Sequence, residues 1–466
     1  MNISSTVCAL STPVGTGGIA VIRVSGGSAF PICQKILKNK GKKLSERPSH
    51  QAFFSDIIDS TSGELLDQGL ILPMKGPGTF TGEDTVEIDC HGGMYICRRI
   101  LEALVQAGCS MAQPGEFTKW AFLNGKLDLT QAEAIMDMID AGTRYSLKAA
   151  SSQLKGRLLL EADELRNELL SMLVDIEVNI DYPEYDDLPE ISDDDIQQKS
   201  MDINQRIKKL LVTADSGIRL REGLSTAIIG LPNVGKSSLL NRLLREERAI
   251  VTNIPGTTRD IVSEMADLQG LPVRLIDTAG IRETGDLVES LGVKRSFDAI
   301  EKSDLVLFVS DREFLLEEER KLLQSIGSKT WFFLINKTDT LQHEKASLEA
   351  ILQKLSEEKL PLPRRVIHIS ALTGEGIDEL TEEIRETFFS EDVLEKDMPL
   401  VTNLRQKEAL IRASEALDRV TSSAGMPQDL LSIDLHEAAD ALGDLTGKSA
   451  RDDVITQIFS RFCLGK

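Results

Sequence analysis

The feature that most constrains the fold is an apolar, strand-like run followed by a glycine-rich loop and a helix. Ala227-Ile228-Ile229 leads into Gly230-Leu231-Pro232-Asn233-Val234-Gly235-Lys236-Ser237, which matches the pattern G-x-x-x-x-G-K-S, and Ser238 continues into the helix. In such a loop, backbone N–H groups surround the phosphates, the lysine contacts the β- and γ-phosphate oxygens, and the serine hydroxyl binds Mg²⁺ at a helix N-terminus. The order of strand, loop and helix predicts a domain that binds a nucleoside triphosphate.

Two further segments predict that the base is guanine. Asn336-Lys337-Thr338-Asp339 follows the apolar run 331–335. We expect Asp339 to accept hydrogen bonds from N1–H and the 2-amino group of guanine, neither of which adenine offers. A buried carboxylate left unpaired costs more than the bond contributes, so the site selects GTP. Ser370-Ala371, after the strand-like run 366–369, is expected to complete the base pocket through backbone donors.

Two other loops are predicted to contact the metal and the γ-phosphate. Asp277-Thr278-Ala279-Gly280 follows the strand-like run 273–276, so its carboxylate can hold Mg²⁺ while the Gly280 N–H faces the γ-phosphate. Thr257 and Thr258, in a loop that contains proline and glycine, supply a switch threonine, and we assign the Mg²⁺ contact to Thr258. Loops of this kind become ordered when the γ-phosphate is present and relax when it leaves.

The residue that orients the attacking water differs from that of Ras-type enzymes, which place a glutamine after this aspartate motif. Here the position is Ile281, whose side chain cannot orient water. Glu289 is a candidate for that role, although its residue type equally fits a solvated carboxylate at a helix start. Arg259 and Arg282 each fit either an arginine finger or a solvent-facing residue.

Composition limits the class of protein. A chain of 466 residues with 41% hydrophobic residues is long enough for about three domains. No apolar run approaches the roughly 18 residues that span a membrane, and the N-terminus lacks the pattern of a signal peptide, so we expect a cytoplasmic protein. The six cysteines form no C-x-x-C pair, which predicts neither a disulfide framework nor a zinc site. The net charge of −21 argues against a protein that coats nucleic acid by bulk electrostatics.

Periodicity predicts a multidomain fold that combines α/β and all-α parts. Residues 1–125 alternate strand-like runs with turns, which predicts an α/β domain. Helical spacing marks 126–220 and returns in 390–466, so a Ras-like P-loop G domain, 221–389, is inserted into a helical bundle domain. The predicted helix faces are Leu158, Leu165, Leu169, Met172 and Ile176; Ile203, Ile207, Leu210 and Leu211; Leu404, Ile411 and Leu417; and Val454, Ile458 and Phe462. The acidic stretch from Asp181 to Asp195 is predicted to connect two helices.

Motifs outside the G domain make the resemblance specific. They are Val21-Ile22-Arg23-Val24-Ser25-Gly26, Phe80-Thr81-Gly82-Glu83-Asp84-Thr85-Val86-Glu87, the stretch from Pro114 to Lys126, and the terminal Cys463-Leu464-Gly465-Lys466. With these motifs the chain resembles, nearly end to end, the MnmE (TrmE) family of tRNA modification GTPases. The family more often ends Cys-Ile-Gly-Lys, which is a conservative difference.

The resemblance implies a role for the N-terminal domain. It implies dimerisation through this domain and a pocket for 5-formyltetrahydrofolate or a related one-carbon tetrahydrofolate, formed by Arg23, Glu87, Lys126 and Lys466. By residue type alone, the first three would be ordinary surface charges. The chemistry is compatible, because a glutamate tail pairs with cations and a pterin edge pairs with a carboxylate. Cys463 is either a nucleophile or a packing residue.

The resemblance also implies a substitute for the arginine finger. It places K⁺ between the G domains of two subunits, with Asn233 and the loop Thr252-Asn253-Ile254-Pro255-Gly256-Thr257 around it. The K⁺ ligands would be Asn233, Thr252, Thr257 and the backbone carbonyl of Ile254. It assigns the water-orienting role to Glu289, which joins Lys236 and Thr258 as the predicted catalytic residues.

The activity implied is that of a homodimeric, K⁺-stimulated GTPase. With the flavoprotein MnmG (GidA), which carries FAD, it would add a carboxymethylaminomethyl-type group to C5 of the wobble uridine of certain tRNAs. Because of the acidic net charge, any tRNA contact would be local or shared with that partner. One alternative is an Era-like ribosome-assembly switch without modification chemistry, although that predicts a basic RNA-binding module after the G domain. A second is a stand-alone folate-binding protein with a regulatory GTPase.

Overall fold

The computed structural model describes residues 5–38, 42–181, 191–244, 263–276, 297–313, 315–340, 348–396, 398–423, 425–449, 452–460, 462 and 465. The chain divides into two compact units. The first unit joins Met1–Met136 to Gly443–Lys466, and the second is Asp137–Leu442. The three boundaries between the four segments predicted from the sequence stay predictions. Among the described residues, no helix has the length and hydropathy needed to cross a membrane.

The first unit contains a seven-stranded sheet in the order β3-β4-β5-β6-β2-β1-β7. Neighbouring strands are antiparallel except for the parallel pair β1–β7. The strands are β1 (Val7–Leu10), β2 (Ile19–Ser25), β3 (Leu37–Lys38), β4 (Phe53–Ile58), β5 (Leu65–Met74), β6 (Thr85–His91) and β7 (Ser110–Met111). The helices that begin in this unit's first segment are α1 (Ala29–Lys35), α2 (Met94–Ala107), α3 (Glu116–Leu123) and α4 (Leu129–Asp140).

The strands of this sheet alternate their side chains between two faces. Ile22 and Val24 of β2 lie in the larger apolar cluster, which includes residues of α1 and α2. Val7 and Ala9 of β1 lie in a smaller cluster, which includes residues of α3. Successive residues of a strand point to opposite faces of the sheet. Arg23 and its neighbour Glu87 therefore lie on the face opposite to Ile22 and Val24.

The C-terminal segment of the first unit packs against the start of α3. Helix α15 (Asp452–Phe459) ends in a group of aromatic rings, in which the Phe459 ring centroid lies 5.1 Å from that of Phe462 and 6.0 Å from that of Phe122. Gly115 has φ +70°, and a Cβ there would lie 2.8 Å from the Phe462 Cβ. Only glycine therefore fits between α3 and this segment.

The buried face of α15 differs from the predicted one. Ile455, Phe459 and Phe462 are buried together, and Ile458 is only partly buried. The prediction placed Val454, Ile458 and Phe462, which are four positions apart, on one helix face. Phe462, however, lies beyond the end of the helix. A position outside the helix does not follow its 3.6-residue period.

The second unit begins with helices α5 (Arg144–Leu154), α6 (Arg157–Asp181) and α7 (Asp193–Glu222). The face predicted for α6 is confirmed, since Leu158, Leu165, Leu169, Met172 and Ile176 are all buried. On α7, Ile203, Ile207 and Leu210 are buried, and Leu211 is partly exposed. These faces supply the core of the helical part of this unit.

The connection that leads into α7 ends before Asp193, earlier along the chain than predicted. Asp193, Asp194 and Asp195 form the first turn of α7, and Ser192 caps the helix by accepting a hydrogen bond from the Asp195 N–H at 3.1 Å. Carboxylates at a helix N-terminus are stabilised by the helix dipole, which explains why these residues join the helix instead of the connection.

The face predicted for the helix after the G segment is confirmed only for Leu417. In α13 (Leu404–Ser422), Leu404 is 58% exposed and Ile411 is partly exposed, whereas Ala409, Leu410, Ala413, Leu417 and Val420 are buried. The prediction followed the large side chains, but the buried face also includes Ala409, Ala413 and Ala416. Ser414 of α13 also donates to Asn204 of α7 at 2.7 Å, which fixes the register of the two helices.

A six-stranded sheet lies between α7 and α13 in the chain. Its strands are β8 (Leu224–Ile229), β9 (Glu264–Leu268), β10 (Leu271–Ile276), β11 (Leu305–Ser310), β12 (Thr330–Ile335) and β13 (Arg365–His368), in the order β13-β12-β11-β8-β10-β9. All pairs are parallel except β9–β10. The other helices are α8 (Lys236–Leu243), α9 (Glu317–Gln324), α10 (Leu348–Glu357), α11 (Ile377–Phe388), α12 (Glu391–Glu395) and α14 (Gln428–Thr446).

Candidate functional site

The phosphate loop joins β8 to α8 at the carboxyl edge of the parallel strands, where ligands bind in open α/β sheets. All six residues of β8 are buried, which fixes the point at which the loop begins. Gly230 has φ +149° and lies against the Val309 carbonyl, and Gly235 has φ +97° and lies against the Asn336 side chain. A Cβ at either glycine would collide with these groups, so the loop's curvature depends on both.

Lys236 begins α8, and its ammonium group folds back over the loop. Its Nζ donates to the carbonyl oxygens of Gly230 at 2.9 Å and Leu231 at 2.7 Å. Burial lowers the pKa of Lys236 from 10.5 to about 8 because the charged form loses water. A phosphate oxygen beside this ammonium would restore a favourable partner for the charge.

Lys236 therefore predicts a pH-dependent affinity for GTP. Phosphates bound beside the ammonium would stabilise it and raise its pKa above 8, so that above this pH binding would take up a proton. We expect the affinity for GTP to fall between pH 8 and 9, with about one proton taken up by pH 9. Titration calorimetry in two buffers of different ionisation enthalpy measures that proton.

Lys236→Arg provides the control for this linkage, because a guanidinium stays charged over the whole range. The variant should bind GTP without taking up the additional proton. Equal proton uptake by both proteins would assign the effect to another group.

The Asn336–Asp339 segment follows β12 and is joined to the phosphate loop. Buried Asn336 donates from Nδ2 to the Val234 carbonyl at 2.8 Å, and its Oδ1 accepts from the Ala371 N–H at 3.0 Å. Lys337 donates from Nζ to the Asn233 carbonyl at 2.9 Å. These bonds hold the predicted phosphate and base segments in one arrangement.

Asp311 is a residue of this arrangement that the sequence analysis did not identify. It follows β11 directly, and its Oδ2 accepts from Lys337 Nζ at 2.8 Å. The ion pair orients the lysine while the Asn233 carbonyl accepts a second bond from it. The signal that could have revealed Asp311 is its position, since it is a carboxylate at the carboxyl end of a buried parallel strand.

Asp339 and the loop after β13 meet in the structure. Ser370 donates from Oγ to Asp339 Oδ1 at 2.6 Å, and the same Oγ accepts from the Thr373 N–H at 3.2 Å. The Ser370 N–H donates to the Glu375 carbonyl at 2.9 Å. Because the Ala371 N–H is also engaged, both backbone donors predicted for the base already have partners. Among the described residues, none accepts a hydrogen bond from the Leu372 N–H.

Several predicted residues of the nucleotide site lie outside the described residues. They are Thr252, Asn253, Ile254, Pro255, Gly256, Thr257, Thr258, Asp277, Thr278, Ala279, Gly280 and Glu289. Among those that are described, Ser237 and Ser238 are exposed at the start of α8, and Asn233 is exposed with φ +66°. The Asn233 side chain hydrogen-bonds to no described residue, so its amide oxygen is available as a cation ligand.

The structure places the predicted folate-site residues Arg23 and Glu87 opposite each other on β2 and β6. Arg23 donates from Nε and Nη2 to Glu87 Oε1 at 3.0 and 2.8 Å, and its guanidinium lies 5.7 Å from the centre of the Phe117 ring. The partly exposed pair provides a cation and a carboxylate beside an aromatic ring.

Two loops lie near the same sheet. A Cβ at Gly82 would lie 3.5 Å from Cε of the exposed Lys126, and Ser25 shares a hydrogen bond of 2.7 Å with Thr81. Ser11 donates to the Gly465 carbonyl at 3.0 Å, which places Gly465 beside the end of β1. Lys466 and Cys463 lie outside the described residues, and the other five cysteines are free and buried. An anionic, partly aromatic ligand would fit the cations Arg23 and Lys126 and the Phe117 ring.

Comparisons with known proteins cover nearly the whole chain. The family model described as "MnmE helical domain" matches residues 129–463, and that described as "GTP-binding protein TrmE N-terminus" matches residues 6–126. The chain is 46% identical to the tRNA modification GTPase MnmE of Oceanobacillus iheyensis over 99% of both chains. It is 45% identical to the protein of that name from Enterococcus faecalis, over 99% of this chain and 98% of the relative.

Among solved structures, the chain is similar to the G domain of the FeoB iron transporter of T. maritima. The identity is 28%, the match covers 35% of this chain and 97% of that chain, and the TM-score is 0.25.

Proposed function

Because the chain belongs to the MnmE family of tRNA modification GTPases, we propose that it hydrolyses GTP to drive one particular modification. With the flavoprotein MnmG (GidA), which holds FAD, it adds a carboxymethylaminomethyl-type group to C5 of the wobble uridine of certain tRNAs. The observation that carries the guanine-nucleotide part is the bonding of Asn336 to both the phosphate loop and the loop after β13, residues 369–376, which we call the base loop.

Different residues of the chain have different roles in the hydrolysis of GTP. Lys236 exchanges its two carbonyl partners for β- and γ-phosphate oxygens, and the glycine-rich backbone donates to the same phosphates. Asp339 accepts hydrogen bonds from the guanine edge and fixes the base. Glu289 orients the attacking water, a role that Ile281 cannot fill. Mg²⁺, held by Ser237 and Thr258, neutralises charge on the β- and γ-phosphates when bound.

K⁺ is the second cation of the proposal, with Asn233, Thr252, Ile254 and Thr257 as its ligands. The exposed amide of Asn233 supports this assignment, because an uncommitted carbonyl oxygen is a suitable ligand for a hard cation. When bound, K⁺ supplies the positive charge that an arginine finger supplies elsewhere. We place this site where the G domains of two subunits meet, so the active form is a homodimer.

Replacing Na⁺ by K⁺ is expected to raise the rate of GTP hydrolysis by at least about tenfold, because the bound cation stabilises charge that develops in the transition state. Steady-state turnover in KCl and NaCl at equal ionic strength measures the effect. The Asn233→Ala variant should respond less to K⁺. Equal wild-type rates in the two salts would contradict the K⁺ site.

The N-terminal site is proposed to bind 5-formyltetrahydrofolate or a related one-carbon tetrahydrofolate. Lys126 and Lys466 would hold the anionic tail, and Glu87, oriented by its ion pair with Arg23, would pair with the pterin edge. The ion pair of Arg23 with Glu87 beside Phe117 supports the assignment, because it offers both charges and a ring on one face of the sheet.

Analysis of modified nucleosides tests the complete proposal. Transfer RNA from cells that lack this chain should contain unmodified C5 at the wobble uridines concerned, and the wild-type gene should restore the modification. An Era-like assembly factor predicts normal tRNA and defective ribosomes instead. Unchanged wobble uridines in the deletion strain would therefore overturn the proposed reaction and favour that alternative.

A further inference from the structure

Arg242 lies in the last turn of α8, the helix whose first residue is Lys236. Its guanidinium is directed away from the phosphate loop, toward the loop that follows β13. Nε donates to the Ala371 carbonyl at 3.3 Å, and Nη2 donates to the Leu372 carbonyl. Two successive carbonyls of the base loop are therefore held by one planar cation, a geometry that lysine cannot reproduce.

The contact with Arg242 fixes the orientation of the peptide bond between Ala371 and Leu372. In a trans peptide the C=O and N–H groups point in opposite directions. Since the Ala371 carbonyl faces Arg242, the Leu372 N–H points away from α8. That N–H has no acceptor among the described residues, whereas the N–H groups of Ser370 and Ala371 are already engaged.

The rest of the loop is fixed from its other side. The hydroxyl of Ser370 bonds to Asp339, and the Ala371 N–H bonds to Asn336. Helix α8 is itself anchored by the buried Leu239, Leu240 and Leu243. The open donor at Leu372 is thus held at a defined position beside the carboxylate that recognises the guanine N1–H and 2-amino edge.

We propose that Arg242 is a positioning residue for base recognition, which aims the Leu372 N–H at the O6 of guanine. The inference rests on the proposed guanine site and adds the residue that orients the loop around its backbone donor. Because Arg242 and Lys236 belong to the same helix, it also joins recognition of the base to binding of the phosphates.

The test compares two nucleotides that differ only at position 6. GDP offers an oxygen, and 6-thio-GDP offers a larger sulfur that accepts hydrogen bonds more weakly, while both keep N1–H and the 2-amino group. Wild-type protein should bind GDP more tightly. Arg242→Met keeps the apolar stem but removes both donors, so affinity for GDP should fall about tenfold and affinity for 6-thio-GDP less than about threefold.

Two further variants separate orientation from general damage. Arg242→Lys should recover part of the preference for GDP, since one ammonium can still reach a carbonyl. Asn241→Ala, at an exposed neighbouring position of α8, should leave both affinities unchanged. The thermal midpoint of each nucleotide-free variant shows whether the fold persists.

Equal losses of both nucleotides in Arg242→Met, with an unchanged ratio, would overturn the inference, as would wild-type affinities in that variant. These outcomes leave the proposed guanine site intact. If wild-type protein bound ADP as tightly as GDP, the guanine site itself would fail and the role of Arg242 with it.

Discussion

Asp339→Asn is expected to reduce the affinity for GTP by about 10²- to 10³-fold and to create affinity for xanthosine triphosphate. In the proposed site the carboxylate would accept from both N1–H and the 2-amino group of guanine, whereas the amide presents one acceptor and one donor. That pair matches xanthine, which has N1–H beside a C2 carbonyl. Ser370 Oγ, 2.6 Å from Asp339 Oδ1, holds the side chain in place and should still bond to the amide oxygen. Competition binding with the two triphosphates measures the exchange of specificity.

Glu379→Gln is a matched control for this change. Glu379 is an exposed carboxylate at the start of α11, so its replacement removes one negative charge without altering the base site. The control should bind GTP as the wild type does. If Asp339→Asn also retained full affinity for GTP, the pairing of this residue with guanine would be ruled out.

Glu289→Ala is expected to leave the affinity for GTP nearly unchanged while kcat falls by about 10²- to 10³-fold. The variant keeps the residues that hold phosphate and base but loses the group proposed to orient water. Single-turnover hydrolysis with prebound GTP separates the chemical step from binding. Glu283→Ala, in the same polar stretch, serves as the control and should hydrolyse GTP normally.

Glu289→Gln distinguishes orientation of the attacking water from acceptance of its proton. An amide can still orient water through its oxygen but cannot accept a proton, so an orienting role predicts that part of kcat is retained. An unchanged kcat in Glu289→Ala would instead return Glu289 to the solvated-surface interpretation.

Much of the fold follows from local pattern, and the exceptions have physical causes. The face of α6 was predicted because large apolar residues recur at helical spacing in a well-buried helix. The face of α13 was only partly predicted, because three of its buried residues are alanines and Leu404 is 58% exposed at the helix start. Small residues permit close approach of two helices, but their weak hydrophobicity gives little periodic signal.

The candidate nucleotide site was predictable where a motif lies within one strand, loop and helix. The bonding of Asn336 to Val234 and Ala371 joins three such segments, as their order along parallel strands implied. Asp311 offered only its position after a buried strand as a signal, and Arg242 offered none, because each acts on a segment distant in sequence. Arg242 contacts a carbonyl 130 positions away along the chain, and no local pattern encodes such a contact.

The most direct test of the central claim, that this chain is a guanine-specific triphosphatase, compares hydrolysis of GTP and ATP by the purified protein in KCl with Mg²⁺. The account predicts multiple turnovers of GTP and no turnover of ATP above background at the same concentration, because adenine leaves the Asp339 carboxylate without its donors. Equal rates with the two nucleotides would contradict it.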